Sequence, residues 1–141
     1  MMSLIALLTI ANPFATDGCT GFPEGTLKEP KLWVECCLEH DLRYWSGGTE
    51  GARERTDVLL RDCVTEKGHP FIAKLMYFGV QVGKNSSRKI KGKEWGNAWE
   101  LPGYFKLSPE QILEVKDELP KISIPRDMEL RFIESLESDS R

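Results

Sequence analysis

The chain has no pair of cysteines two residues apart, only two histidines, and no basic residue ahead of its leading apolar stretch. Each shortage excludes something. Without a C-x-x-C pair, the usual structural zinc frameworks lose their main signal. With two histidines, imidazole chemistry falls to His40 or His69, and His69 reads as a loop residue between Gly68 and Pro70. The stretch Leu4 to Ala11 is too short to span a bilayer. It also lacks the basic start of a secretory leader, and Pro13 stands where a small residue is expected before a cleavage near Ala15. Residues 1–15 are therefore an apolar segment with two open readings, a minimal signal peptide or a short packed helix. Net charge is only -3, too small to point to nucleic acid as a partner.

What the chain does have is the composition of a soluble globular domain, with 40% apolar and 29% charged residues among 141. Charge is unevenly spread. Lys84, Arg88, Lys89, Lys91 and Lys93 form a basic run without an acid, followed by Trp95, while residues 108–141 carry nine acids against five bases. The four cysteines are Cys19, Cys36, Cys37 and Cys63. Adjacent cysteines cannot readily bridge each other without strain, so two crosslinks to distant partners are the natural outcome. That favours an oxidising compartment, secreted or periplasmic.

Residues 12–31 are rich in Gly, Pro and Thr and read as an ordered loop. Helical periodicity runs from Leu32 to Trp45 and breaks at Ser46-Gly47-Gly48. Thr49 can cap a second helix that runs to about Lys67 and stops at Gly68 and Pro70. Phe71 to Val82 predicts a third, mostly buried helix. Residues 83–107 are basic and aromatic, with the pair Trp95 and Trp99 better placed in a core than at a lipid surface. Ser108-Pro109-Glu110-Gln111 is a helix start with Pro first and Gln placed for a capping box. A charged tail, 127–141, follows and can form one more short helix.

The informative segment is Trp33-Val34-Glu35-Cys36-Cys37-Leu38-Glu39-His40-Asp41-Leu42-Arg43-Tyr44. Take it as one helix and 49–67 as its antiparallel neighbour. Residues at one level then have nearly constant index sums, and 36 with 63 gives 99 where 40 with 57 gives 97. A disulfide between Cys36 and Cys63 puts His40 level with Asp57, one turn further along. A carboxylate beside an imidazole fixes its tautomer and stabilises the imidazolium formed in general-base catalysis. The remaining bridge, Cys19–Cys37, would bring Thr16-Asp17-Gly18-Cys19-Thr20 against Asp41, which lies one turn beyond Cys37. Hard oxygen ligands of this kind suit calcium, and a calcium ion beside a histidine base is a coherent ester-hydrolysis site.

Cys36-Cys37-x-x-His40-Asp41-x-x-Tyr44 resembles the active-site helix of secreted phospholipases A2, and the spacing from Asp57 to Cys63 matches that family's second catalytic helix. Arg55-Thr56-Asp57, Asp62 and the 16–20 loop are most similar to its short bacterial and fungal branch. The resemblance covers residues 16 to 64, about a third of the chain. It implies a mainly α domain over 16–126, with two antiparallel disulfide-linked helices carrying the site, a calcium loop before them and further helices after. It also implies His40 as base, Asp57 orienting it, Tyr44 bonding that carboxylate, and calcium on Asp41, Asp17 and the Gly18 carbonyl. The expected reaction is hydrolysis of the sn-2 ester of a glycerophospholipid at a membrane or micelle surface, by a monomer. Gly21, Phe22, Pro23 and Gly25 depart from the glycine-rich calcium loop of the animal enzymes, and nothing after Lys67 matches the family.

Other readings stand beside this one. Asp62 competes with Asp57, though index sum and family spacing prefer Asp57. Asp17 before Gly18 also suits a plain turn. The basic run with Trp95 serves either as a membrane surface or as a solvated loop. For the whole chain, the rivals are a catalytically weak lipid-binding or toxin-like module, and a thiol or zinc protein using Cys36, Cys37, His40 and Cys63.

Overall fold

Local chemistry sets the ends of the helices. The computed structural model describes residues 8–87, 97–100 and 103–138, with side chains up to residue 82 and again from 97. Among these residues the structure is helical, with five α-helices and no strand. Helix α1 spans Val34–Trp45, with Glu35 in its first turn and Arg43 in its last, signs that suit the helix dipole. It ends at Ser46, after which Gly47 has φ +80°. Only glycine fits there, because a Cβ would also come within 3.0 Å of Trp99 Nε1. That indole N–H donates to the Ser46 carbonyl at 2.9 Å and locks the turn.

Helix α2 spans Glu50–Glu66, and the Thr49 hydroxyl accepts from the Ala52 N–H as its cap. Lys67 and Gly68 stop it. Helix α3 begins on Pro70, whose fixed φ suits a first helical position, and runs to Ser87, five residues beyond the apolar stretch that predicts it. Helix α4, Pro109–Glu118, opens with the complete capping box of Ser108 and Gln111. A 3-10 turn over Leu119–Lys121 leads towards α5, Arg126–Glu137. The segment that reads as a charged tail is thus mostly α5, and it buries Met128, Phe132 and Leu136.

Two apolar clusters hold these helices, and α1 contributes to both. Leu42 and Trp45, at its C-terminal end, pack with Trp99, Val115, Phe132 and Leu136. Ile10 and Phe14 join this cluster from the N-terminal segment. Cys36 and Cys37, nearer its start, pack with Trp33, Leu60, Val64 and Met76. Fully burying a side chain such as Leu42 or Phe132 contributes on the order of 2 kcal/mol. Trp99 is therefore core, as its sequence context suggests.

Both cysteine pairs are closed. Cys19 bonds Cys37 and Cys36 bonds Cys63, and no cysteine is free. Two disulfides are compatible with an extracellular or periplasmic setting. No helix among the described residues is long and apolar enough to cross a membrane.

Candidate active site

The Cys36–Cys63 bond crosslinks α1 to α2 one turn before His40. Side chains four apart on a helix share a face, so the crosslink also brings His40 to α2. His40 Nε2 lies 2.7 Å from Asp57 Oδ1. The index rises along α1 from 36 to 40 while it falls along α2 from 63 to 57. Asp57 is fully buried and the His40 side chain is 11% exposed. A buried carboxylate is costly unless its oxygens are bonded. Here Oδ1 faces the imidazole, and Oδ2 accepts from Gln81 Nε2 at 2.7 Å.

With Nε2–H donated to Asp57, the lone pair of a neutral His40 sits on Nδ1. That nitrogen is 3.8 Å from Asp41 Oδ1, too far for a hydrogen bond and close enough for attraction between charges. Burial by itself pulls the imidazole pKa down. The Asp41 and Asp57 carboxylates outweigh it, and His40 titrates above its ordinary 6.5. The Tyr44 ring stacks against the imidazole at an interplanar angle of 28°, with centroids 5.8 Å apart. The buried Arg53 guanidinium carbon is 3.7 Å from the centroid of the same tyrosine.

His40 lines a cleft of about 400 Å³ between α1, α2 and α5. Leu59 offers its apolar wall, while Glu39, Arg43 and Arg131 carry charge along it. Glu39 pairs with Arg43 at 2.9 Å and with Arg131 at 2.8 Å, so α5 is tied to α1 beside the candidate base. Asp62 also lines the cleft, but its carboxylate is 55% exposed and pairs with neighbouring Arg61. Geometry therefore favours Asp57 over Asp62 as the partner of His40. His69 lies against Trp33, with ring centroids 5.2 Å apart.

The loop before α1 is drawn in by Cys19–Cys37. Thr16 Oγ1 donates to Asp41 Oδ2 at 2.6 Å and accepts from the Gly18 N–H at 3.1 Å. Asp17 accepts a hydrogen bond from Thr20, and Gly18 takes φ +74°. Among the described residues neither Asp17 nor Asp41 pairs with a lysine or arginine; the side-chain bonds they accept come from Thr20 and Thr16. No group of three His, Cys, Asp or Glu gathers around one point among those residues. The donors are nonetheless all hard oxygens: two carboxylates, two hydroxyls and a loop carbonyl. In kind they fit calcium, with water needed to complete its six to eight ligands.

Gln81 is the site residue that sequence reading misses. Its signal is an amide standing alone in the apolar run Phe71–Val82. The stretch is less buried than its sequence suggests, with only Ala73 and Met76 fully covered, because one side of α3 faces out. Gln81 lies on the half-buried part, where a polar group needs a partner, and only the fold names Asp57. The basic run is different. Arg88, Lys89, Lys91, Lys93 and Trp95 lie outside the described residues, and Lys84 is placed in α3 by its backbone alone.

No family model matches the chain, and neither a curated protein nor a solved structure does.

Proposed function

We propose that this protein is a calcium-dependent phospholipase A2-type hydrolase that cleaves the sn-2 ester of glycerophospholipids. The observation that carries the reading is the 2.7 Å contact between His40 Nε2 and the fully buried Asp57. In this reading α1 and α2 are the antiparallel, disulfide-linked pair that carries the active site. His40 Nδ1, on the side of Asp41, takes a proton from the attacking water, and Asp57 keeps the imidazole in the tautomer that leaves Nδ1 free. Tyr44, stacked against the imidazole from the next turn of α1, would hydrogen-bond the Asp57 carboxylate.

Asp41, Asp17 and the Gly18 carbonyl would hold calcium, and the bound ion would supply electrophilic stabilisation of the ester oxygen. The disulfides suit a secreted or periplasmic enzyme. The substrate is presented by a membrane or micelle surface.

The deciding experiment follows hydrolysis of a dispersed short-chain phosphatidylcholine with calcium, for the native chain and for His40→Gln. Calcium-dependent release of the sn-2 acid, absent from the variant, is expected. Equal turnover by both proteins would remove the assignment of His40. No turnover by the native chain would favour a lipid-binding module that keeps the crosslinks without catalysis.

A further inference from the structure

Helix α3 is apolar on two sides. Its inner side places Ala73 and Met76 in the core with Leu60 and Val64. Its outer side carries Phe71, Leu75, Phe78 and Val82, which are 70%, 44%, 68% and 50% exposed. At 100° per residue these four fall within an arc of about 60°, in a stripe roughly 16 Å long. Single exposed apolar side chains are ordinary on a protein surface. A continuous stripe with two phenylalanines marks a contact surface.

Charge indicates what the stripe meets. From Pro70 to Lys93 the sequence holds Lys74, Lys84, Arg88, Lys89, Lys91 and Lys93 and not one Asp or Glu, although the whole chain has net charge -3. Lys74 is exposed and sits just beside the stripe on the helix wheel. A second copy of this chain would bring to the contact an α3 that likewise holds Lys74 and Lys84 and no acid. The stripe also exposes on the order of 400 Å², about half of the ~800 Å² that each partner gives to a stable interface. An anionic surface into which side chains sink singly needs no such area, and basic residues beside it add attraction.

We infer that the outer face of α3, with Phe71, Leu75, Phe78 and Val82 as its apolar contacts and Lys74 at its margin, docks on an anionic phospholipid surface. This deepens the function proposed above and rests on it for the choice of phospholipid. The contact surface itself requires no turnover.

The test is co-sedimentation of the full chain with vesicles of phosphatidylglycerol and phosphatidylcholine, or of phosphatidylcholine alone. It is run for the native protein and for the double variant Phe71→Ser, Phe78→Ser. Both phenylalanines are exposed, so the fold should survive, and an unchanged near-ultraviolet circular dichroism spectrum checks this. Native protein should bind anionic vesicles at least tenfold better than zwitterionic ones. The double variant should lose at least tenfold of that binding and keep its rate on dispersed short-chain substrate. Unchanged vesicle binding by the variant overturns the inference. So does a native dimer that the variant converts to monomer, since the stripe would then be a contact between copies. Vesicle binding without hydrolysis of any phospholipid would uphold the surface and remove the hydrolase reading. Hydrolysis of dispersed substrate without vesicle binding would do the reverse.

Discussion

Gln81 Nε2 lies 2.7 Å from Asp57 Oδ2, the carboxylate oxygen opposite the one that faces His40. The same amide nitrogen is 3.3 Å from Glu54 Oε2. One glutamine from α3 thus holds the buried carboxylate of α2 in the plane that meets the imidazole of α1. Three helices contribute to a site that two helices suffice to suggest.

Gln81→Leu should therefore lower kcat about tenfold or more with little change in KM. A hydrogen bond to a charged group is worth about 1.5–3 kcal/mol, and its loss frees Asp57 to rotate without altering the lining of the cleft. Steady-state kinetics on a dispersed phospholipid would check this, with Gln81→Asn expected to fall between. An unchanged kcat in Gln81→Leu would show that His40 and packing alone orient Asp57.

Replacing the base should be far more severe. His40→Gln should cost about a thousandfold in kcat, within the range for loss of general-base catalysis, while calcium binding measured by calorimetry is retained. Asp41→Asn should lose both. Separation of the two losses distinguishes a base from a ligand, and retained calcium binding in Asp41→Asn would take Asp41 out of the metal site.

Calcium should be required at roughly millimolar concentration, the weak end of its range, because two carboxylates and a carbonyl leave much of the shell to water. Chelator should abolish turnover and added calcium restore it. Magnesium should not substitute, because it demands a tighter octahedron and gives up water reluctantly. Full activity in chelator would exclude the metal role.

The pH dependence has a definite sign. Only neutral His40 accepts a proton, and its pKa lies above 6.5 because Asp41 and Asp57 outweigh the effect of burial. The rate should therefore rise with pH as the imidazolium loses its proton, and calcium on Asp41 should place that rise lower than in the metal-free protein. The metal-free protein gives a check without turnover. The His40 ring should titrate above 6.5 by NMR, and Asp57→Asn should move that titration down. The charged pair contributes stability that is fully present below 6.5 and is lost as pH rises through the raised pKa.

The Cys36–Cys63 bond closes a separation of 27 residues in the chain. Removing it with paired serines should cost about 3–4 kcal/mol of stability, through the greater freedom of the unfolded chain. Calorimetric melting would measure the fall. Kinetics below the new midpoint should show reduced kcat, since α1 and α2 lose the crosslink one turn from His40. Unchanged kcat there would assign the alignment of the pair to packing rather than to the bond.

Much of the helical layout is legible in the sequence because it is decided by neighbours. Thr49 reaches Ala52, Ser108 reaches Gln111, and Gly47 and Gly68 end helices by backbone geometry, all within a few residues. The cysteine and His40–Asp57 spacings are legible for a related reason: helical periodicity turns residue numbers into heights along two helices. Other features were decided by the tertiary structure alone. The amide of Gln81 meets Asp57 across 24 positions, and Arg131 meets Glu39 across 92. In sequence, 127–141 is a charged tail, and its Phe132 and Leu136 become a buried face only where Leu42, Trp45 and Trp99 leave room for them. Caps and periodicity act over one or two turns, so residue order is enough to reveal them. Which distant polar group satisfies a buried carboxylate, and which apolar face stays uncovered, depends on how the helices pack in three dimensions, and no local pattern in the chain carries that information.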